Sequence, residues 1–203
     1  MTDSTIKIPS IKLNAVFNVA KTFLRLFFPL ITFPYASRIL LPEGIGMVTF
    51  ASSIVDFFII IATLGISVYG IRETAKVRDN KEELSKVTKE IFAINVISTI
   101  VAYALLFAAI FIVPKLAGYR SLLILISAKI LFVALGLEWL FSGLENYRYI
   151  TIRAFVFQII SVALLFLFVK SQDDYLMYAS IAVISNVGSN VCNWVYSKRF
   201  IDF

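Results

Sequence analysis

The 203-residue sequence has no histidine and a single cysteine, Cys192. Without histidine there is no Ser-His-Asp triad, and no His/Cys metal site can be assembled. One thiol cannot close an internal disulfide. Charge is scarce as well. Charged residues make up 16% of the chain, where a soluble globular domain has about 25%. What fills the space is apolar: 60% of residues belong to the AVILMFWYC set, and the mean hydropathy is +0.88. That balance marks an integral membrane protein. The net charge of +6 would suit nucleic acid in a soluble chain. In a membrane protein its distribution along the loops matters more, and no nucleic-acid partner is expected.

A spanning helix needs about 20 mostly apolar residues. Six segments qualify, at about residues 13–33, 45–71, 91–113, 122–141, 152–169 and 175–196. They are continuous and long, whereas a spanning barrel is built from short alternating segments. The expected fold is therefore an all-α integral membrane bundle of six transmembrane helices. The first segment is interrupted by Lys21 and Arg25 and has no small-residue cleavage site after it, so it is expected to stay in the mature protein. With the N-terminus cytoplasmic, twelve basic residues fall on that side: Lys7, Lys12, six between Arg72 and Lys89, Arg148, Arg153, Lys198 and Arg199. Four fall on the other side: Arg38, Lys115, Arg120 and Lys170. The positive-inside rule then puts both termini in the cytoplasm. The longest loop, Arg72 to Glu90, reads as a short cytoplasmic helix. Glu82, Lys86 and Glu90 pair at spacings of four, and Leu84, Val87 and Ile91 share an apolar side.

The first segment, NAVFNVAKTFLRLFFPLITFP from Asn14 to Pro34, puts two cations inside an apolar run. Asn14, Asn18, Lys21 and Arg25 fall within an arc of about 60° on a helix. A charge at the bilayer centre costs about 2.5–3.5 kcal/mol on insertion scales, so this stripe should face a water-filled cavity or partner acids. Asn186, Asn190, Asn193 and Ser197 repeat the spacing in the sixth segment. Glu138, Ser142 and Glu145 share a face in the fourth, and Thr49, Asp56, Thr63 and Ser67 in the second. A bundle that turns these stripes inward has a hydrophilic interior. Lys21, Arg25, Asn14 and Asn18 are the candidate substrate-binding residues. Asp56, Glu138, Asn186 and Asn190 are the candidate coupling or cavity residues. Other readings stand beside these. Asparagine and serine stripes can be interhelical contacts worth about 1–2 kcal/mol each. Lys21 and Arg25 can simply neutralise Asp56 or Glu138. Lys129 lies opposite Glu138 on its helix and is expected to reach toward an interface. Pro29 is expected to kink the first helix and Pro34 to bend or end it. Tyr147, Tyr149, Tyr175, Tyr178, Trp194 and Tyr196 sit where interfacial anchors do.

Three stretches carry a family resemblance: PYASRILLPEGIGMVTF (Pro34 to Phe50), LGISVYGIRETAKVRDNKEEL (Leu64 to Leu84) and LEWLFSGLENYRYITIR (Leu137 to Arg153). Together they resemble the polysaccharide-exporter family that flips lipid-linked O-antigen repeat units, the Wzx-type flippases. That family shares a superfamily with multidrug exporters and the lipid II flippase. The likeness covers about residues 12–200. The family usually has glycine after the Arg38-Ile39-Leu40 motif, and here Leu41 stands in that position.

The resemblance implies twelve to fourteen helices in two pseudo-symmetric bundles, of which this chain would be the N-terminal one. It implies a bacterial plasma-membrane transporter, not an enzyme, that carries an undecaprenyl-pyrophosphate-linked oligosaccharide to the outer leaflet. No cofactor is implied. Its partners would be that lipid, membrane lipids, the C-terminal bundle and a coupling Na⁺ or H⁺ held by Asp56 or Glu138. The stripe residues suit such cargo: Arg25 offers a bidentate fork, Lys21 a point charge, and asparagines hydrogen-bond sugar hydroxyls. The alternative is a cation-coupled multidrug exporter, whose cavity would more often be acidic. A membrane glycosyltransferase or polymerase would need an acidic metal motif or large catalytic loops, and the loops here are short.

Overall fold

The computed structural model describes residues 11–202, and they form an all-helical protein. Lys7, counted above with the N-terminal basic residues, lies outside them. The helices are α1 (Ile11–Thr63), α2 (Ile66–Val77), α3 (Lys81–Ile112), α4 (Arg120–Leu135), α5 (Glu138–Gly143), α6 (Tyr147–Phe168) and α7 (Tyr175–Ser197). Short 3₁₀ turns at Pro114–Tyr119 and Gln172–Asp174 link α3 to α4 and α6 to α7. Among the described residues, four helical stretches are long and apolar enough to cross a membrane: Lys12–Val77, Lys81–Ile112, Pro114–Leu135 and Tyr147–Phe168.

The first stretch is not one rod. Its backbone keeps helical dihedrals through Pro29 and Pro34 and leaves them at Leu41, with φ 55° and ψ 173°. The break therefore falls later than the prolines of the first segment suggested. Pro42 contributes to it, because a proline disfavours helical dihedrals at the residue before it, but the positive φ goes beyond that preference. A second break, at Leu64 and Gly65 (φ 39° and 73°), separates α2 from α1. The expected second segment, residues 45–71, is thus divided between two helices. The expected fourth segment, residues 122–141, is also divided. Leu137 adopts φ 43° between α4 and α5.

The Arg72–Glu90 loop is not a separate helix. Its first half ends α2, and its second half begins α3. Asn80 caps α3, its side chain accepting from the backbone N–H groups of Glu82 and Glu83 at 3.0 and 3.3 Å. Such a cap is worth about 1 kcal/mol. At the opposite end, Asp174 accepts from the backbone N–H groups of Lys170 and Ser171 at 2.8 and 2.7 Å. Those donors hold its carboxyl below its ordinary pKa.

Water does not drive helices together inside a bilayer, so close packing and hydrogen bonds must. The contact faces carry small residues accordingly. Ala36, Ala51, Ala62, Ala102, Ala134 and Ala179 are all buried. They let α1 pack against α3, α4 and α6, and α7 against α4 and α6. The outer faces are the reverse. Val16, Leu30, Ile60, Val68, Phe111 and Ile112 are all exposed. A soluble monomer does not present so much contiguous apolar surface. Lipid tails cover it without penalty. Two short ties close the α2–α3 end of the bundle: Arg78 to Glu145 at 2.9 Å and Lys81 to Asp202 at 2.8 Å.

Candidate functional site

The break between α4 and α5 creates the site. It sets Glu138 as the first residue of α5 and leaves the Gly136 carbonyl outside a regular helix. Asn193 on α7 donates its side-chain amide to that carbonyl. Asn190, one turn earlier, sits so close to Gly136 that a Cβ there would collide with its Oδ1. Asn190 in turn donates to Asn186 Oδ1 at 3.1 Å. Three of the four α7 stripe residues are therefore tied to the break or to each other.

Glu138 is bound from two sides. Lys21 Nζ on α1 lies 2.6 Å from its Oε1, and Arg153 Nη2 on α6 lies 3.0 Å from its Oε2. Arg153 also donates to the Ser189 carbonyl at 3.5 Å and lies over the Tyr149 ring, 5.8 Å from its centroid. It is 7% exposed. Arg25, one turn along α1 from Lys21, is exposed at the mouth of the same space and makes no ion pair among the described residues.

These groups line two adjoining cavities. The first, about 340 Å³, lies between α1, α6 and α7, with Lys21, Arg25, Glu138, Arg153, Gln158 and Asn186 on its walls. The second, about 320 Å³, lies toward α2 and α3 and shares Arg25, Glu138, Asn186 and Asn190 with the first. A third, about 380 Å³, contains Asp56 with Thr49, Ser52, Ser53 and Tyr178, and meets the first at Gln158, Ser161 and Ala182. The first cavity adjoins both others, and the three make one groove along the bundle with polar groups along it.

The sequence-derived residues divide accordingly. Lys21, Arg25, Glu138, Asn186 and Asn190 come together. Asp56 stands apart from them in the third cavity. Asn14 is buried with neither amide atom hydrogen-bonded, and Asn18 is exposed; neither lines the three cavities. Glu145 pairs with Arg78 outside the groove. Lys129 on α4 is half-buried and lines none of the three.

Arg153 is the residue that sequence reasoning misplaced. Counted as a loop cation, it lies two turns inside α6 and holds Glu138. Asn146 carried the signal: it caps α6 by accepting from Tyr149 N–H at 3.4 Å. That asparagine starts the helix at Tyr147, five residues earlier than the apolar run indicates. Gln158, Ser161, Ser185 and Ser189 also line the groove. Alone, each reads as an ordinary polar residue in an apolar helix.

Broken helices around a cation-rich groove, with apolar residues facing outward, define a multi-pass membrane protein with a polar interior. Over residues 12–202 the chain matches the family described as "Polysaccharide biosynthesis protein", and it belongs to that family. It is also 21% identical, over 163 residues, to a protein of Escherichia coli (strain K12) named "Putative O-antigen transporter". The match covers 80% of this chain and 39% of that protein. The chain thus spans well under half the length of the curated relative it matches. No solved structure matches it significantly.

Proposed function

We propose that this chain is the N-terminal, six-span bundle of a translocase for undecaprenyl-pyrophosphate-linked oligosaccharide in the bacterial plasma membrane. Both termini face the cytoplasm. With Arg153 moved into α6, eleven basic residues on that side still oppose four on the other. The cargo's lipid tail stays in the bilayer while its head passes along the groove. A second bundle, expected from the length of the relative, closes the groove, and the two rock about it.

One observation carries the reading. Lys21, Arg25 and Arg153 line the first cavity against a single acid, Glu138. Its formal charge is therefore positive, in a region where an uncompensated charge is costly. An anionic head balances it; a cationic drug does not. Arg25 is the cation best placed to meet the cargo, since Lys21 and Arg153 already share Glu138. Coupling to Na⁺ or H⁺ is assigned to Asp56, whose carboxylate faces a cavity lined by hydroxyls. Asn186 and Asn190 face the cargo, while Asn14 and Asn18, which line none of the cavities, are given no part in holding it. The work is transport, with no bond made or broken.

The test is complementation. The full-length gene is expressed in a strain lacking its own O-antigen flippase, and surface polysaccharide is measured at matched membrane levels. The wild type restores it. Arg25→Ala lowers it at least tenfold, and Lys21→Ala lowers it less because Arg153 still holds Glu138. Drug export by the wild type with no effect on surface polysaccharide would favour the multidrug reading instead.

A further inference from the structure

A diphosphate esterified at both ends carries one negative charge on each phosphate. Arg25 can meet one of them, since it makes no ion pair among the described residues. The cation for the other must come from Lys21 or Arg153, the remaining cations on the first cavity's walls. Both are already bound to Glu138, at 2.6 and 3.0 Å from its two oxygens.

These two cations are not held alike. Arg153 is bound by Glu138, by the Ser189 carbonyl at 3.5 Å and by the face of the Tyr149 ring. Its side chain is 6% exposed. Drawing it toward a ligand would break all of these contacts. Lys21 has Glu138 as its sole hydrogen-bond and ion-pair partner among the described residues, and its side chain is 16% exposed. An ammonium on a four-carbon stem also turns more freely than a planar guanidinium fork. Lys21 lies four residues from Arg25, so the two project from one face of α1, and both line the first cavity. A phosphate on Arg25 is therefore one helical turn from Lys21.

Glu138 competes with that phosphate. A carboxylate and a phosphate both take an ammonium through a charge-assisted hydrogen bond. Without the acid, Lys21 and Arg25 would face the cavity as two unbalanced like charges and grip a diphosphate hard. A translocase has to let its cargo go, so binding must be weak enough for departure.

We infer that Glu138 is a release residue: the diphosphate takes Lys21 from it on binding, and Glu138 takes Lys21 back as the head leaves. This rests on the transport reading above, which supplies the diphosphate. Only ion pairs are exchanged. Arg153 stays with Glu138 throughout, so neither of that buried pair is left without its partner.

The full-length protein is placed in phosphatidylcholine nanodiscs, and binding of two radiolabelled lipids is measured. One is a hexose linked to undecaprenyl diphosphate; the other is a hexose linked to undecaprenyl monophosphate, with a single charge. Both bind the wild type. Glu138→Gln tightens the diphosphate lipid about 3–10-fold, between the worth of exposed and buried pairs, and changes the monophosphate lipid less than about twofold. With Lys21→Met in place, the same replacement no longer tightens the diphosphate lipid. Glu138→Gln nevertheless restores less surface polysaccharide than the wild type, because the head is held. Unchanged or weaker diphosphate binding in Glu138→Gln overturns the release role, as does undiminished surface polysaccharide. Equal tightening of both lipids, or tightening that persists without Lys21, reduces the effect to net charge and overturns it too. If the wild type binds neither lipid, the transport reading falls, and the release role with it. Should Glu138→Gln not insert, Glu138→Asp decides. It keeps a charge for Arg153 but is one methylene too short to reach Lys21 as well, and the same selective tightening is expected.

Discussion

Glu138 holds Lys21 through one carboxylate oxygen and Arg153 through the other. Removing an acid from such a triad strands a buried cation, which is more damaging than losing the pair as a whole. Arg153 is nearly buried, while the Glu138 side chain is 40% exposed and reached by water. Glu138→Ala is therefore expected to destabilise by about 2 kcal/mol, below the ~3–5 kcal/mol of a fully enclosed pair. Glu138→Ala combined with Arg153→Ala recovers part of that loss. Thermal unfolding in detergent checks the cycle, and additive losses would contradict the coupling. At this scale the sequence was informative where residues repeat at helical spacing. Lys21 and Arg25 stand out on their helix because four polar groups line up in an apolar run. That the acid opposite Lys21 is Glu138 rather than Asp56 does not follow from spacing, because pairing across helices depends on the break at Leu137. Asn14 shares the stripe's face but lies a turn or more from the cavities, since periodicity gives a direction and not a depth.

The helices are broken at Leu41, Leu64–Gly65 and Leu137, and the last two shape the groove's walls. All three include a leucine at positive φ, a region that leucine adopts with strain and glycine without it. Leu41 combines φ 55° with ψ 173°, dihedrals that belong almost only to glycine and cost other residues about 1–3 kcal/mol. The family resemblance pointed to this position, where glycine is usual and leucine stands here. Leu41→Gly should raise stability by about 1 kcal/mol, after subtracting glycine's entropic cost of roughly 0.5–1 kcal/mol and the burial lost from a half-exposed side chain. A higher unfolding midpoint with unchanged transport is the expected result; a lower one would mean that Leu41 packing outweighs its backbone strain. Long apolar runs located the helices, but not these breaks, because neither Leu41 nor Leu137 is a residue that signals one. Proline did not mark the break in the first segment either. Pro29 and Pro34 sit in the helix, and the break belongs to the residue before Pro42.

Across the whole molecule, apolar residues face outward and polar ones gather along one groove. The membrane class was legible from composition alone, because no soluble domain hides so much apolar surface. The hydrophilic interior was legible from the stripes on several helices. What composition could not supply is the order of the groove: a cation-rich cavity in the middle, one that reaches Ser67, Asn95 and Trp139 on one side, and one that contains Asp56 on the other.

The most direct test places a thiol in the groove of the full-length protein. Cys192 is changed to serine, and cysteine is introduced singly at Asn186 in the groove and at Leu30 on the outer face. A charged, membrane-impermeant thiol reagent is then applied with and without undecaprenyl-pyrophosphate oligosaccharide. The account predicts rapid labelling of Asn186→Cys, protection by the lipid-linked saccharide, and no labelling of Leu30→Cys. Labelling of Asn186→Cys that the saccharide leaves unchanged, or no labelling at all, would contradict a water-filled groove that holds this cargo.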